Sequence, residues 1–223
     1  MSGSYADILG KINKQSYVKY QLPLQKKTVV RYGLIALSFL LGAVVHFGYL
    51  DSIEAPLVAS LQNAALNANL MWFFVAYGHL GDSIVWIGVA LLMLAFYFRR
   101  ERRALKFFSF ITVVAALTTI LRLVFPRPRP FQAFPSLVQV FIYEGLPSYP
   151  SGHVAPAAGG FYLLANHSRL LNAVFGVMVV LLAVSRVAAG THYFTDVIGS
   201  AFFSYPIAAI IDDMKFFERF KDG

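Results

Sequence analysis

Long apolar segments separated by short polar ones dominate the pattern of this chain. A helix that crosses a bilayer needs about 20 mostly apolar residues, and the pattern predicts an all-α, polytopic membrane bundle of six transmembrane helices in a single domain, residues 1–223. On hydropathy alone the fourth segment is the weakest of the six. The predicted spans are Tyr32–Leu50, Leu80–Phe98, Ala104–Phe125, Gly152–Asn166, Leu170–Ala189 and Tyr193–Ile211.

Short interfacial helices are expected outside these spans. In residues 55–77 apolar side chains recur at helical spacing between asparagines and a glutamine, which predicts a helix lying in the outer interface. Gly78 and Gly81 are expected to separate this helix from the second span. Residues 5–20 fit either another interfacial helix or a frayed polar tail.

The composition supports a membrane protein. Apolar residues make up 58% of the 223 positions and charged residues 13%, whereas soluble domains have about 45–50% and about 25%. So few charges cannot cover a soluble surface, and the apolar content excludes a disordered chain. The absence of cysteine excludes disulfides, cysteine-ligated metal sites and a thiolate nucleophile.

The net charge of +8 follows the predicted topology. With six spans, 15 of the 19 basic residues and 6 of the 11 acidic residues fall on one side of the membrane. The positive-inside rule makes that side cytoplasmic, so residues 1–31 and 212–223 are expected to be cytoplasmic segments of an integral cell-membrane protein. The basic excess is a topological signal, and nucleic acid is not an expected partner.

Four arginines fall on the outer face, against this topological bias. One arginine near the end of a span can extend its head group to water, but four that gather beside two histidines need another explanation. A cluster of guanidinium groups is a natural receptor for phosphate oxygens. The four are Arg122, Arg127, Arg129 and Arg186.

The last of three polar segments at this face runs from Ser185 to Asp196. His192 and Asp196 are four residues apart, so they can share one helix face at the start of span six. Asp196 could then fix the tautomer of His192 and leave one ring nitrogen free to attack. An interfacial anchor pair is an equally good interpretation. Gly190 is expected to form the turn, and Thr191 the helix N-cap.

The other two segments surround the same predicted site. Ser151 is expected to cap a helix whose first N–H groups favour an anion, with Gly152 allowing close approach and His153 placed to donate a proton. Arg122 and Arg129 can face one pocket only if the chain bends between them, and the intervening prolines supply that bend. Arg127 is also explained by a solvated basic turn.

Together the three segments resemble the signature of the type 2 phosphatidic acid phosphatase (PAP2) superfamily, the membrane lipid phosphate phosphatases. That signature is Lys-x6-Arg-Pro, then Pro-Ser-Gly-His, then Ser-Arg-x5-His-x3-Asp. The chain matches every specified position in order and spacing except one, because Arg122 stands where the family usually has lysine.

The resemblance implies a metal-free reaction, with no cofactor, through a phosphohistidine. His192 is the implied nucleophile, Asp196 orients it, and His153 protonates the leaving oxygen and then activates water. Arg127 is not expected to touch phosphate, and Asp82 is expected to be a cap or supporting partner. The implied phosphate-binding residues are Arg122, Arg129, Arg186, Ser151 and Gly152.

The implied substrate is a lipid phosphate at the extracytoplasmic membrane surface: phosphatidate, phosphatidylglycerol phosphate, or a polyprenyl mono- or diphosphate such as undecaprenyl pyrophosphate. The apolar loop 131–149 could admit a lipid chain or pack over the bundle. A lipid phosphotransferase with the same site is the main alternative. A vanadate-dependent haloperoxidase is disfavoured by six spans, and an anion transporter by the confinement of the strong charges to one face.

Overall fold

The computed structural model describes residues 24–96, 101–165 and 168–219, and the segment 5–20 lies outside them. Every regular element within those ranges is helical, which confirms the all-α prediction. The α-helices are α1 (Leu24–His46), α2 (Asp51–Asn67), α3 (Met71–Gly78), α4 (Ser83–Phe96), α5 (Glu101–Val124), α6 (Pro130–Ala133), α7 (Val154–Ala165), α8 (Arg169–Ala188) and α9 (Phe194–Asp212). Of the residues that the structure describes, those from Leu34 onward group as one compact unit, and residues 24–33 group separately.

Several of these helices can cross a membrane. Four are long and apolar enough to do so individually, and helices α3 and α4 pass only together, as a pair bent by 45°. Helix α7 is apolar but has only 12 residues. These helices confirm an integral membrane bundle, whereas the count of six spans stays a prediction. The four individual candidates are Lys26–His46, Arg102–Val124, Arg169–Ala188 and Phe194–Glu218.

The region before the second predicted span differs from the sequence-based prediction. The helix expected over 55–77 is two helices, because α2 ends at Asn67 and α3 begins at Met71. Gly78 and Gly81 do lie at a break, as predicted, because α3 ends at Gly78 and α4 begins at Ser83. The break bends the apolar pair Met71–Gly81 and Ser83–Ala95 by 45°.

The helix ends that carry the three polar segments meet at one end of the bundle. Helix α5 ends there and α7 begins there, with Arg122 Nε donating to Pro150 O over 3.2 Å. Helix α7 packs closely against α5 because Gly159 faces the ring of Phe110. A Cβ atom at Gly159 would lie only 2.3 Å from that ring. The shared end of these helices is called the site end below.

The turn into α9 confirms one expectation and corrects another. Gly190 has φ of +74°, the left-handed conformation that the turn after α8 requires. Thr191 is not the N-cap, because its hydroxyl donates to Arg186 O over 2.9 Å. The N-cap is Tyr193, whose N–H donates to the side chain of Asp196 over 2.8 Å. A carboxylate at the third helical position takes over the capping role.

Candidate active site

A cavity of about 420 Å³ opens at the site end of the bundle. Its wall combines charged and apolar side chains drawn from α4, α5, α8 and the loops between helices. Members of all three predicted segments contribute to it. The lining residues are His79, Asp82, Ser83, Ile84, Arg122, Ile142, Glu144, Leu146, Gly152, His153 and Arg186.

His192 is fully buried beside this cavity, and its two ring nitrogens have different surroundings. Nε2 lies 3.3 Å from Nη1 of Arg129. Nδ1 lies 3.5 Å from Oδ2 of Asp196 and 3.4 Å from Oγ of Ser148. Burial and the charge of Arg129 lower the pKa of His192 to about 3. The ring is therefore neutral at physiological pH and carries a lone pair that can act as a nucleophile.

Both carboxylate oxygens of Asp196 are held by surrounding groups. Oδ2 accepts from the Tyr193 N–H over 2.8 Å and from the Ser148 hydroxyl. Oδ1 accepts from Nη1 of Arg127 over 2.7 Å. Because Asp196 and His192 are both fully buried, the alternative of an interfacial anchor pair is wrong. The carboxylate is fixed against rotation and faces Nδ1 of His192.

Arg127 lies in a buried network of three carboxylates and does not line the cavity. Besides Asp196, it bonds Asp51 through Nε over 3.0 Å and Glu54 through Nη2 over 2.8 Å. Its guanidinium also lies 3.6 Å from the centre of the Tyr193 ring.

This network contradicts the solvated basic turn, because Arg127 is 1% exposed and donates hydrogen bonds to three carboxylates. Burial alone would lower the pKa of Arg127, but the charge of Asp196 and the hydrogen bonds to Glu54 and Asp51 raise it overall. Sequence spacing gave no sign of these contacts, since two of the partners start α2, more than 70 positions away.

Arg122, Arg129 and Arg186 converge on the space in front of the two histidines. Arg129 is fixed by donating from Nε to Leu146 O over 2.8 Å and from Nη1 to Thr191 O over 2.7 Å. Burial lowers the pKa of Arg129 to about 10, so it remains charged at neutral pH. Arg122 faces Gly152, where a Cβ atom would lie 2.8 Å from Nη2. A glycine at this position therefore leaves room for the guanidinium.

Glu144, from the loop between α6 and α7, places its carboxylate among these cations. Oε2 lies 2.6 Å from Nη2 of Arg129, and Oε1 accepts from Nη2 of Arg186. Oε1 also lies 3.9 Å from Nε2 of His153. Glu144 lies outside the three polar segments, and no sequence spacing relates it to them. Its contacts identify an anion-binding position between the arginines and the histidine.

His153 reaches the same position from the start of α7. Its ring centre lies 6.3 Å from that of His192, and Nε2 lies 2.9 Å from Oδ1 of Asp82. Burial, followed by the charge of Arg186, lowers the pKa of His153 to about 3. The predicted supporting role of Asp82 thus has a specific partner in the structure.

Ser151 and Gly152 differ in their relation to the cavity. The Ser151 N–H donates to Ser200 Oγ over 2.7 Å, and its hydroxyl accepts from the Val154 N–H over 3.3 Å. Ser151 therefore caps the start of α7, as the sequence predicted, and its amide is used inside the bundle. Gly152 lines the cavity beside His153.

Three cavity side chains have the spacing of a metal site. Single ligand atoms of Glu144, His153 and His192 lie within 4.8 Å of one another. However, Arg129 and Arg186 contact the same carboxylate, and their positive charges repel a cation at close range. The electrostatics of this position favour an anion.

Comparisons with known proteins agree with the geometry. A family model described as the PAP2 superfamily matches residues 103–218. Phosphatidylglycerophosphatase B of Bacillus subtilis (strain 168) is 26% identical over 186 residues, covering 74% of this chain and 85% of that protein.

Two solved structures share the fold. The transmembrane PAP2 type phosphatidylglycerolphosphate phosphatase of Bacillus subtilis has a TM-score of 0.70 at 22% identity, covering 86% of this chain and 98% of that one. Aquifex aeolicus LpxE has a TM-score of 0.63 at 22% identity, covering 73% and 96%. With the matched family model, these findings confirm the resemblance drawn from the three segments: the chain belongs to the PAP2 superfamily and is a phosphoric monoester hydrolase.

Proposed function

We propose that this protein removes the terminal phosphate of a membrane lipid through a phosphohistidine on His192, without a metal ion. The observation that carries this proposal is the position of the Glu144 carboxylate. It lies between Arg129 and Arg186 and 3.9 Å from His153. A phosphate group that displaced it would meet a cationic cradle, a neutral nucleophile and a proton donor at once.

The first step transfers the phosphoryl group from the lipid to His192. Nε2 of His192 forms a bond to phosphorus as the bond between phosphorus and the lipid oxygen breaks. Protonated His153 gives its proton to that oxygen, so the lipid leaves as an alcohol, or as a monophosphate when the substrate is a diphosphate. Asp196 stabilises the positive charge that develops on His192.

The second step returns the enzyme to its starting state. A water oxygen forms a bond to phosphorus while the bond between phosphorus and Nε2 of His192 breaks. The water gives one proton to His153, which is now neutral, and inorganic phosphate leaves. Throughout both steps Arg122, Arg129 and Arg186 face the phosphoryl oxygens, where a fixed cradle stabilises the spreading charge.

The rim of the cavity supports a lipid substrate. Ile84 is 77% exposed and Leu146 is 62% exposed, and both line the cavity beside the charged groups. Part of loop 131–149 packs over the bundle, because Phe131 and Val138 are buried. Another part is available to a lipid chain, because Tyr143 is exposed. The exposed apolar side chains supply a surface for the first carbons of a lipid chain.

The substrate proposed first is phosphatidylglycerol phosphate, because a relative that spans most of the chain is named phosphatidylglycerophosphatase B. Phosphatidate and polyprenyl mono- or diphosphates remain in the panel to be tested. The proposed topology has six spans with α7 as the fourth, both termini in the cytoplasm and the site on the opposite face. The asymmetry of 15 basic residues against 4 supports that orientation.

The test is phosphate release by purified protein from a panel of lipid phosphates in detergent with EDTA present. We expect release that vanadate inhibits and that His192→Ala abolishes. Full activity in His192→Ala would contradict the phosphohistidine mechanism. Activity that requires a lipid acceptor, with none in water alone, would favour the phosphotransferase instead.

The orientation has a separate test that uses the absence of native cysteine. A single cysteine replacing Ser136, in the loop at the site end, should react with a membrane-impermeant thiol reagent in intact cells. Reaction only after lysis would reverse the proposed topology.

A further inference from the structure

The bend between α3 and α4 lies directly against the cavity. A Cβ atom at Gly78 would lie 2.6 Å from Nη1 of Arg186, and one at Gly81 would lie 2.6 Å from Cβ of His153. Two glycines therefore let this segment approach two side chains of the site. The same segment carries the polar residues His79 and Asp82, which both line the cavity.

Asp82 bridges two histidines through its two oxygens. Oδ1 lies 2.9 Å from Nε2 of His153, and Oδ2 lies 2.8 Å from Nδ1 of His79. The exposed fractions of the three side chains fall from 61% for His79 to 33% for Asp82 and 15% for His153. The three groups form a continuous hydrogen-bonded path from solvent to the site.

The proposed chemistry needs a proton on His153, which burial and the charge of Arg186 disfavour. His153 faces Arg186 from α8 and His192 from the turn before α9, and it faces Glu144 and Asp82 from two loops. Arg122 from α5 lines the same cavity. When a phosphate dianion replaces the single charge of Glu144, the added negative charge favours protonated His153. A proton must therefore enter as the substrate binds.

We propose that Asp82 positions His153 and that His79 exchanges protons between solvent and this pair. An N–H bond of protonated His79 breaks as an O–H bond forms on Asp82. The carboxyl group turns, and that O–H bond breaks as an N–H bond forms on His153. His79 then takes another proton from solvent, and the path runs in reverse when inorganic phosphate leaves. This inference rests on the proposed function.

Asp82→Asn tests the positioning role. Removing this negative charge makes His153 harder to protonate, so the alkaline limb of the kcat profile should move to lower pH by about one unit. At pH 7.5 kcat should fall about 10- to 100-fold. KM should change less than about twofold, because the phosphate contacts of the arginines remain.

His79→Ala tests the exchange role. We expect kcat to fall several-fold above pH 7 and added imidazole to restore it, because a small base can replace the missing proton carrier. His46→Ala is the matched control, since His46 is also exposed and its ring contacts Pro126 O instead of the cavity. That variant should keep wild-type activity and show no response to imidazole.

The outcomes separate this inference from the proposed function. An unshifted alkaline limb in folded Asp82→Asn, or no imidazole rescue in His79→Ala, overturns the inference while wild-type activity leaves the function intact. If Asp82→Asn does not fold, the inference is tested by His79→Ala alone: rescue by imidazole supports it, and the absence of rescue overturns it. Wild-type protein that releases no phosphate from the panel refutes the function itself.

Discussion

The two histidine–aspartate pairs of the site differ in their exposure to solvent. His192 and Asp196 are both fully buried, and every oxygen of Asp196 is held by a side chain or a backbone N–H. His153 and Asp82 lie at the rim, and Asp82 reaches the exposed ring of His79. A nucleophile benefits from a fixed orientation, whereas an acid and base must exchange protons, so the two environments suit the roles proposed for His192 and His153.

The largest difference between the pairs should appear when each carboxylate becomes an amide. Asp196→Asn should reduce kcat on the order of 10³- to 10⁴-fold, because His192 loses both its orientation and its charge stabilisation. Asp82→Asn should cost about 10- to 100-fold. Phosphate release at saturating substrate measures both. Equal losses in the two folded variants would remove the distinction between a fixed pair and an exchanging pair.

Arg127, which holds Asp196 of the buried pair, should contribute strongly to the unfolding free energy of the protein. Arg127→Met leaves Asp51, Glu54 and Asp196 without their shared cation, so we expect a loss of about 3–5 kcal/mol in unfolding free energy. The thermal unfolding temperature in detergent reports this change.

The matched control for that loss is Lys106→Met. It breaks the ion pair with Asp212, whose two side chains are 16% and 19% exposed, at the opposite end of α5. A partly solvated pair should cost much less, about 1 kcal/mol or below. Equal destabilisation by Arg127→Met and Lys106→Met would show that the three-carboxylate network has no special weight.

Glu144→Gln should strengthen anion binding at the shared position between the pairs. A neutral amide competes less well for Arg129 and Arg186, so the inhibition constant of vanadate should fall about tenfold, or about 1.4 kcal/mol. Inhibition measured across vanadate concentrations tests this. Unchanged or weaker inhibition would mean that the carboxylate of Glu144 does not occupy the anion site.

The smallest effect should come from Ser148. Ser148→Ala removes one hydrogen bond to Asp196, but the bonds from Arg127 and the Tyr193 N–H still hold the carboxylate. We expect kcat to fall about threefold, the value of one modest hydrogen bond. A loss as large as that of Asp196→Asn would make Ser148, and not Asp196, the principal partner of His192.

The sequence located the residues proposed to carry the chemistry better than the residues that surround them. His153, His192 and the arginines belong to three short segments whose internal spacing is diagnostic. Glu144 and Glu54 belong to none of them. Glu54 lies 73 positions from its partner Arg127, and Glu144 lies 42 positions from its partner Arg186. Contacts across such separations depend on helix packing, which local periodicity does not encode.

The hydropathy pattern also predicted the helices better than it predicted where they begin and end. Hydropathy located the apolar helices but placed the first span at Tyr32–Leu50, whereas α1 runs from Leu24 to His46. Lysines at its start lower the local hydropathy without breaking the helix, and Gly48, with φ of +70°, follows its end. The break at Gly78 and Gly81 was predicted, but its close contacts with Arg186 and His153, far along the chain, were not.

The origin of the three supporting carboxylates has a consequence for how such enzymes diverge. Asp51, Glu54 and Asp82 all precede the segment 103–218 that the family model recognises. Under the proposed mechanism, mutations in this N-terminal part alter charge balance and proton supply while every signature residue stays the same. Two lineages with identical signatures can then acquire different working pH ranges through residues that lie outside the signature.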